Sequence, residues 1–231
     1  MIFDVITIFP EIFHSFKNQS ILKKAQEKGI IKIRIHNLRD FTHDPHKTVD
    51  DKPFGGGRGM VVKVEPIFKA ISTLTKFKIQ NSKFKITNKN SKIILFTPRG
   101  KKFNQKMATD FAKLDQLILI CGRYEGVDER VAKYIADECL SIGKYVLMGG
   151  DLAALVVIEA IARLVPGVVG KSELLKERIT ESGGFIEYPQ YTRPEIFEPL
   201  PGIKWKVPKV LLSGDHKKIE EWRKKHSKVI E

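Results

Sequence analysis

Cysteine is nearly absent from this sequence, because Cys121 and Cys139 are the only two among 231 residues. Two cysteines cannot staple a disulfide-rich fold or complete a cysteine-rich zinc ribbon. Unclustered thiols are typical of a reducing compartment, so we expect a cytoplasmic protein. Cys121 ends a β-rich apolar run and is interpreted as a buried core residue, not as a nucleophile.

Long apolar runs are also missing. The longest uninterrupted one covers residues 152–158, far short of the ~18 residues that a membrane-spanning helix needs. The first residues lack the basic start and the long apolar region of a signal peptide. We therefore expect neither a membrane segment nor a signal peptide.

Several common catalytic motifs do not occur: a P-loop, a GxGxxG turn, a GxSxG nucleophile elbow and an HExxH helix. Covalent catalysis therefore has no support from the sequence. His43, Asp44 and His46, with Asp50 and Asp51, are of metal-binding types. Nothing in their spacing fixes a coordination geometry, so we predict no metal site built by the protein.

Positive charge is in excess: 41 Lys and Arg against 27 Asp and Glu give a net charge of +14. This excess favours a polyanionic partner, most simply nucleic acid. Residues 76–92 hold six lysines and no acid. They are interpreted either as a basic hairpin that contacts RNA or as a mobile surface insertion with almost no core residues, and we favour the insertion.

Strand-like and helix-like segments alternate along the first two thirds of the chain. A strand at 2–9, a helix from Pro10 to Gly29 and a strand at 31–36 open the pattern. Further segments are expected at 92–97, 104–113, 117–121, 127–135, 141–148 and 151–164, with strands and helices in turn. The alternation predicts an α/β fold with a mostly parallel sheet covered by helices.

Glycine-bearing loops follow the later strands, at residues 98–100, 122–126 and 148–150. Because ligands of open α/β sheets bind at the carboxyl ends of strands, the three loops predict one pocket. The aperiodic stretch 39–61 contains a second glycine-rich loop at 55–59, for which we predict ligand contact.

The chain is expected to divide into an α/β domain at 1–169, a linker at 170–187 and a small helical C-terminal domain at 188–231. The linker is polar and contains Gly183 and Gly184. In the last domain we predict a basic helix at 215–228 with Asp215 as its N-cap.

Five motifs occur in a fixed order along the chain. They are FTHDPHKTVDDKPFGGGRGM at 41–60, CGRYEGVDERV at 121–131, SIGKYVLMGGD at 141–151, PQYTRP at 189–194 and LLSGDH at 211–216. In this combination the chain closely resembles the bacterial tRNA (guanine-N1)-methyltransferases of the TrmD type, from about residue 2 to residue 228.

This resemblance implies an enzyme of the SPOUT class that uses S-adenosylmethionine to methylate N1 of guanosine 37 in tRNAs with guanosine at position 36. It implies a deep trefoil knot in the α/β domain, a homodimer with sites at its interface, and a tRNA-binding C-terminal domain. A dependence on Mg²⁺ is also implied. The alternatives are a non-catalytic tRNA-binding protein of the same fold and a SPOUT enzyme that acts on another RNA.

The resemblance also assigns the catalytic residues. Arg163 matches the family's catalytic arginine, which stabilises charge on guanine O6. The family's base is an aspartate in the linker, but no aspartate occurs between Asp151 and Asp215. Glu181 is the nearest equivalent, and Glu177 is the fallback.

The resemblance further assigns two sets of binding residues. Cofactor binding falls to Leu95, Phe96, Thr97, Pro98, Gly122, Glu125, Gly126, Ile142, Gly143, Lys144, Tyr145, Val146, Leu147, Gly149 and Gly150. Guanosine recognition falls to Asp50, Asp51, Phe54, Gly55, Gly56, Gly57, Arg58, Gly59 and Arg123.

Overall fold

The structure is a computed structural model that describes residues 1–81, 83–88, 90–170, 178–182 and 184–230. It divides into two compact units, Met1–Glu173 and Leu174–Glu231. In these described ranges, no helix combines the length and the apolar character that a membrane span requires.

The described residues of the first unit form nine strands and five α-helices. The strands are β1 (Ile2–Thr7), β2 (Lys32–Asn37), β3 (Asp50–Asp51), β4 (Val61–Val62), β5 (Phe77–Gln80), β6 (Lys83–Ile86), β7 (Ser91–Lys102), β8 (Gln116–Ile120) and β9 (Glu138–Ser141). The helices are α1 (His14–Lys17), α2 (Ser20–Glu27), α3 (Val64–Leu74), α4 (Gln105–Phe111) and α5 (Asp151–Ala162), with 3₁₀ turns at Pro10–Phe13 and Leu38–Phe41 and a π turn at Val131–Ile135.

A five-stranded sheet in the order β2-β1-β8-β7-β9 forms the centre of this unit, and all its pairs are parallel. Side chains of β8 alternate between two cores. Leu117 and Leu119 pack in the core that includes α2, α4 and α5, whereas Ile118 and Ile120 pack in the core that includes α3. Both faces of the sheet are therefore covered, and the predicted α/β architecture is confirmed.

One fully buried carboxylate joins three neighbouring strands. Asp4 on β1 accepts hydrogen bonds from Nε and Nη2 of Arg34 on β2, each at 2.6 Å, and from Nε2 of Gln116 on β8 at 2.8 Å. The Nε2 atom of His36 lies 2.7 Å from the same carboxylate. Burial alone would raise the pKa of Asp4, but the hydrogen bonds from His36, Arg34 and Gln116 outweigh it and lower the pKa.

The predicted first helix is broken into three short pieces: the turn at Pro10–Phe13, then α1, then α2. The break between α1 and α2 falls at residues 18–19, directly before Ser20, which begins α2 with a φ of +49°. Such a backbone angle is unfavourable for a residue with a side chain and cannot continue a helix. Gly29, with a φ of +69°, follows α2 as predicted.

Two predicted segments beside the glycine loops are shorter than expected. Of the helix expected at 127–135, only the π turn Val131–Ile135 is helical. The strand expected at 141–148 is wrong, because β9 ends at Ser141. The apolar side chains of Tyr145, Val146 and Met148 suggested a buried strand, but they are exposed on an irregular loop.

The lysine-rich segment forms an antiparallel hairpin of β5 and β6. Phe84 of this hairpin is only 3% exposed and belongs to the core that includes α3. The favoured interpretation as an insertion with almost no core residues is therefore wrong on this point. The error arose because lysines alternate with the apolar residues and lower the average hydrophobicity.

The second unit contains β10 (Phe185–Glu187), β11 (Ile196–Leu200), β12 (Ile203–Lys206), α6 (Lys209–Leu212), α7 (His216–His226) and β13 (Lys228–Ile230). Strand β10 pairs with β13, and β11 pairs with β12, both antiparallel. The expected helical C-terminal domain is therefore corrected to a mixed unit of strands and helices. Asp215 caps α7 as predicted, since its carboxylate accepts the backbone N–H of Lys218 at 3.2 Å.

We predict that Asp4→Asn lowers the free energy of unfolding by about 3 kcal/mol at pH 7, because it leaves Arg34 without its buried partner. The folded pKa of Asp4 lies below its unfolded value, so the ion stabilises the fold above pH ~4 and this contribution is lost as the pH falls through the folded pKa. Urea unfolding from pH 7 to pH 3 measures both effects.

The matched control is Asp110→Asn, which removes an exposed carboxylate that pairs with Lys106 and Lys113. Exposed pairs contribute less than about 1 kcal/mol. Because Asp4→Asn removes the carboxyl group that titrates, the free energy of unfolding of this variant should fall less steeply below pH ~4 than that of the wild type. Equal losses at Asp4 and Asp110 would contradict the structural role of Asp4.

Candidate active site

The three predicted loops meet at a bulge within β7 and at the carboxyl ends of β8 and β9, around a cavity of about 520 Å³. Its walls are Leu95, Phe96, Thr97, Pro98, Arg99, Gly122, Arg123, Tyr124, Glu125, Gly126, Val127, Glu129, Ala132, Cys139, Leu140, Ser141, Ile142, Tyr145, Val146, Leu147, Met148, Gly149, Gly150 and Ala153. Every predicted cofactor residue except Gly143 and Lys144 is in this set. The structure therefore brings the predicted pocket together within a single chain.

The first wall is a bulge in β7. Phe96 and Lys101 both pair with Leu140 on β9, so the residues between them leave the ladder. A side chain on Gly100 would place its Cβ 2.6 Å from the backbone of Leu140. This position therefore requires glycine, and the bulge turns Thr97 and Pro98 toward the cavity.

The loop from β9 to α5 returns across the sheet to the end of β8. There the backbone N–H of Gly150 donates to the carbonyl of Gly122 at 2.8 Å. A Cβ on Gly149 would lie 2.4 Å from Cδ of Arg123. The two glycines thus allow the start of α5 to pack directly against the loop at 122–126.

A buried carboxylate fixes this junction. Asp151, at the start of α5, is 1% exposed. It accepts a hydrogen bond from Oγ1 of Thr7 at 2.5 Å and another from Nε of Arg123 at 2.8 Å. The guanidinium carbon of Arg123 lies 4.6 Å from the centre of the Phe9 ring.

Arg123 is therefore held on two sides at the wall of the cavity. In the described part of the chain, its terminal amino groups form no hydrogen bond to protein, and 21% of its side chain is exposed. Because Asp151 balances its charge, Arg123 offers directed N–H donors more than net positive charge. Such donors suit the oxygen or nitrogen acceptors of a base edge.

Sequence reasoning missed Thr7, Phe9 and Asp151 as members of this site. Asp151 ends one of the quoted motifs but had no predicted role. Its partner Thr7 lies 144 positions earlier in the chain. An acidic residue directly after Gly149 and Gly150, at the start of a strongly apolar helix, was the available signal.

The two cysteines near the cavity are neutral thiols. Burial raises the pKa of Cys121 well above its ordinary value, and the neighbouring Asp151 carboxylate adds to the shift. Burial and Glu129 also raise the pKa of Cys139. The prediction that Cys121 is a core residue is confirmed, because it is 5% exposed.

The glycine-rich loop lies beside the cavity. The pairing of β3 with β4 closes its base, and Phe54 at its tip is fully exposed. The loop contacts the cavity wall at Glu125, whose backbone N–H donates to the carbonyl of Met60 at 3.0 Å. A Cβ on Gly59 would lie 2.6 Å from Cγ of the same glutamate, so Gly59 also packs against it. Of the predicted guanosine-binding residues, only Arg123 lines the cavity.

The predicted catalytic residues are not among the cavity walls. Arg163 caps the carboxyl end of α5, about 18 Å along the helix from its amino end at the cavity. Glu181 is exposed in the second unit. Glu177 lies outside the described residues. Among the residues that the structure describes, no group of three or more His, Cys, Asp or Glu could hold a metal ion.

Comparison with known proteins identifies one family over almost the whole chain. The family model described as "tRNA (Guanine-1)-methyltransferase TrmD" matches residues 1–230. A protein of Carboxydothermus hydrogenoformans is 53% identical over 97% of this chain and 81% of its own length, and one of Dictyoglomus turgidum is 51% identical over 97% and 84%. A protein of Clostridioides difficile is 47% identical over 98% and 92%. All three are named tRNA (guanine-N(1)-)-methyltransferase.

Proposed function

Because the chain belongs to the tRNA (guanine-1)-methyltransferase family, we propose that it methylates N1 of guanosine 37 in tRNAs that carry guanosine at position 36. The proposal rests on the cavity at the bulge of β7 and the carboxyl ends of β8 and β9, whose walls include most of the residues expected to bind the methyl donor. Since tRNA and S-adenosylmethionine are cytoplasmic, we place the activity in the cytoplasm.

The cavity fits S-adenosylmethionine, which when bound supplies an activated methyl group on a sulfonium. Its volume of about 520 Å³ is within the usual range of roughly 300–1,000 Å³ for cofactor sites. Leu95, Leu140 and Leu147 provide apolar contact for a flat base, and the loop backbones provide polar groups. Glu125 adds negative charge that suits a cationic ligand, whereas the carboxylate of Glu129 pairs with Arg99 on the same wall.

The chain's own residues have two tasks in this reaction. Guanine N1 carries a proton, so a base must remove it before N1 can attack a methyl group, and charge then develops on O6. We assign the base to the Glu181 carboxylate and the stabilisation of O6 to the Arg163 guanidinium. Both cysteines are neutral thiols and stay outside this scheme. Mg²⁺ is an optional participant, for which we assign no protein ligands.

A homodimer would bring an Arg163 to each cavity. Leu152, Val156, Glu159 and Arg163 have the spacing of one stripe along α5. Leu152 and Val156 are 55% and 48% exposed, although they are apolar. If two copies of α5 pack antiparallel through this stripe, the Arg163 end of one helix meets the cavity end of the other.

Two further features of the proposal concern the fold and the target base. The return of the chain from β9 across β7 to Gly122 supports a trefoil knot in the first unit. The exposed Phe54 ring and the turn-forming glycines around it suit recognition of an unstacked guanosine beside Arg123. The second unit would bind tRNA.

Val156→Glu should convert the protein from a dimer into a monomer, because it places a charge at the centre of the proposed interface. We expect sedimentation to report a mass near 26.3 kDa, methyl transfer to be lost, and S-adenosylmethionine affinity to change less than about threefold, since the cavity belongs to one chain. The control is Ile21→Glu on α2, an equally exposed apolar residue at 49%. A Val156→Glu variant that remains dimeric would refute this interface.

The proposed reaction is tested with labelled S-adenosylmethionine and two unmodified tRNA transcripts. One has guanosine at positions 36 and 37, and the other has adenosine at position 37. We expect incorporation into the first transcript alone. If the protein binds the donor and both transcripts without transferring the methyl group, it is a tRNA-binding protein of the same fold.

Glu181→Gln should lower turnover about 100-fold or more, because the amide cannot accept the N1 proton. The affinity for S-adenosylmethionine should change little, and the loss should appear in kcat and not in KM. Glu187→Gln, which alters a nearby carboxylate that pairs with Arg178, is the matched control. Undiminished turnover of Glu181→Gln would move the assignment of the base to Glu177.

A further inference from the structure

The hairpin of β5 and β6 has two chemically distinct faces. Its register pairs Lys78 with Lys85 and Gln80 with Lys83, so these side chains point to one face. The other face carries Phe77, Ile79, Phe84 and Ile86. All four residues of the first face are exposed. We call Lys78, Lys83 and Lys85 the lysine face.

The apolar side anchors the hairpin to the first unit. The Phe77 and Phe84 rings stack with centres 4.4 Å apart. Phe68 on α3 meets each of them edge-on at 5.8 Å. Since Phe84 is buried in the core, the lysine face has a fixed orientation and points away from the protein.

The lysine face is not neutralised within the described residues. Lys78, Lys83 and Lys85 have no ion pair there, and no acid occurs between residues 76 and 92. Like charges directly opposite each other in a strand pair are unfavourable. Lys92 differs, because it pairs with Glu138 and lies over the Phe111 ring. A concentrated charge without internal counterions indicates an external polyanion.

The hairpin and the cavity lie at different points along the same strand. The hairpin leads into Ser91 at the amino end of β7, whereas Leu95 is the first cavity residue on that strand. Four residues of strand span about 13 Å. A polyanion that reaches both places must extend well beyond the reacting nucleotide.

We propose that the lysine face binds phosphates of the tRNA body, away from the anticodon loop that enters the cavity. The proposal rests on the proposed function, which supplies the RNA. Contact with phosphates by lysines is independent of sequence, and the deep major groove of an A-form helix hides its base edges from side chains. The lysine face would therefore add affinity without choosing among tRNAs.

The test compares the wild type with K78Q/K83Q/K85Q and with K24Q/K28Q/K32Q, a control that removes the same charge from exposed lysines elsewhere on the first unit. Binding of a full tRNA transcript and of its isolated anticodon stem-loop is measured from 50 to 200 mM salt. We expect the hairpin variant to weaken full tRNA binding about tenfold at 100 mM and to reduce the salt slope by about 2. Stem-loop binding should be unchanged, and K78R/K83R/K85R should retain full affinity.

Equal losses in both glutamine variants would overturn the proposal, because net charge alone would then explain the effect. No change in the salt slope of the hairpin variant would overturn it as well. If the hairpin variant loses binding to vesicles with anionic lipid while its tRNA binding is intact, the lysine face binds a membrane surface instead. Failure of the proposed function would look different from failure of this proposal. In that case the wild type would bind tRNA without methylating the full transcript or the stem-loop.

Discussion

The buried carboxylate of Asp151 is the interaction on which the candidate site depends. An ion removed from water is stable only when hydrogen-bond donors surround it, and here Thr7 and Arg123 provide them. These two residues belong to the end of β1 and to the loop after β8, whereas Asp151 begins α5. One side chain therefore holds together three segments that are distant in sequence. Because Arg123 lines the cavity, the same contact fixes a cavity wall.

The proposed chemistry suits a site built by packing and hydrogen bonding. A methyl group on a sulfonium is already activated, so the protein must mainly orient the reactants, remove a proton and balance charge. A cavity with apolar walls and backbone donors can orient the methyl donor. In the proposed reaction the charged groups act on the target guanine: Arg123 would bind it through directed hydrogen bonds, and Arg163 and Glu181 would balance its charge and remove its proton.

The sequence predicted the structure correctly where the local hydrophobic pattern matches the burial of the same residues in the fold. Residues 93–96 of β7 and 117–120 of β8 are apolar on both faces, and glycines follow them, so the position of the cavity could be predicted. The same pattern wrongly predicted a strand over residues 142–148, because the apolar residues there face a cavity or solvent and do not pair in the sheet. It also failed at the hairpin, because the burial of Phe84 depends on Phe68 of another element. The bond from Thr7 to Asp151 joins positions 144 residues apart, so no local pattern reveals it.

If Arg163 serves the cavity of a second copy, as proposed, its position has a consequence for the cell. The arginine lies about 18 Å from the cavity of its own chain, as measured along α5. A site that needs an arginine from a second copy is assembled by a bimolecular step, so its abundance rises with the square of protein concentration when the protein is scarce. A single newly made chain would hold the methyl donor and remain silent. Modification of tRNA would then rise more steeply than expression while the protein is scarce.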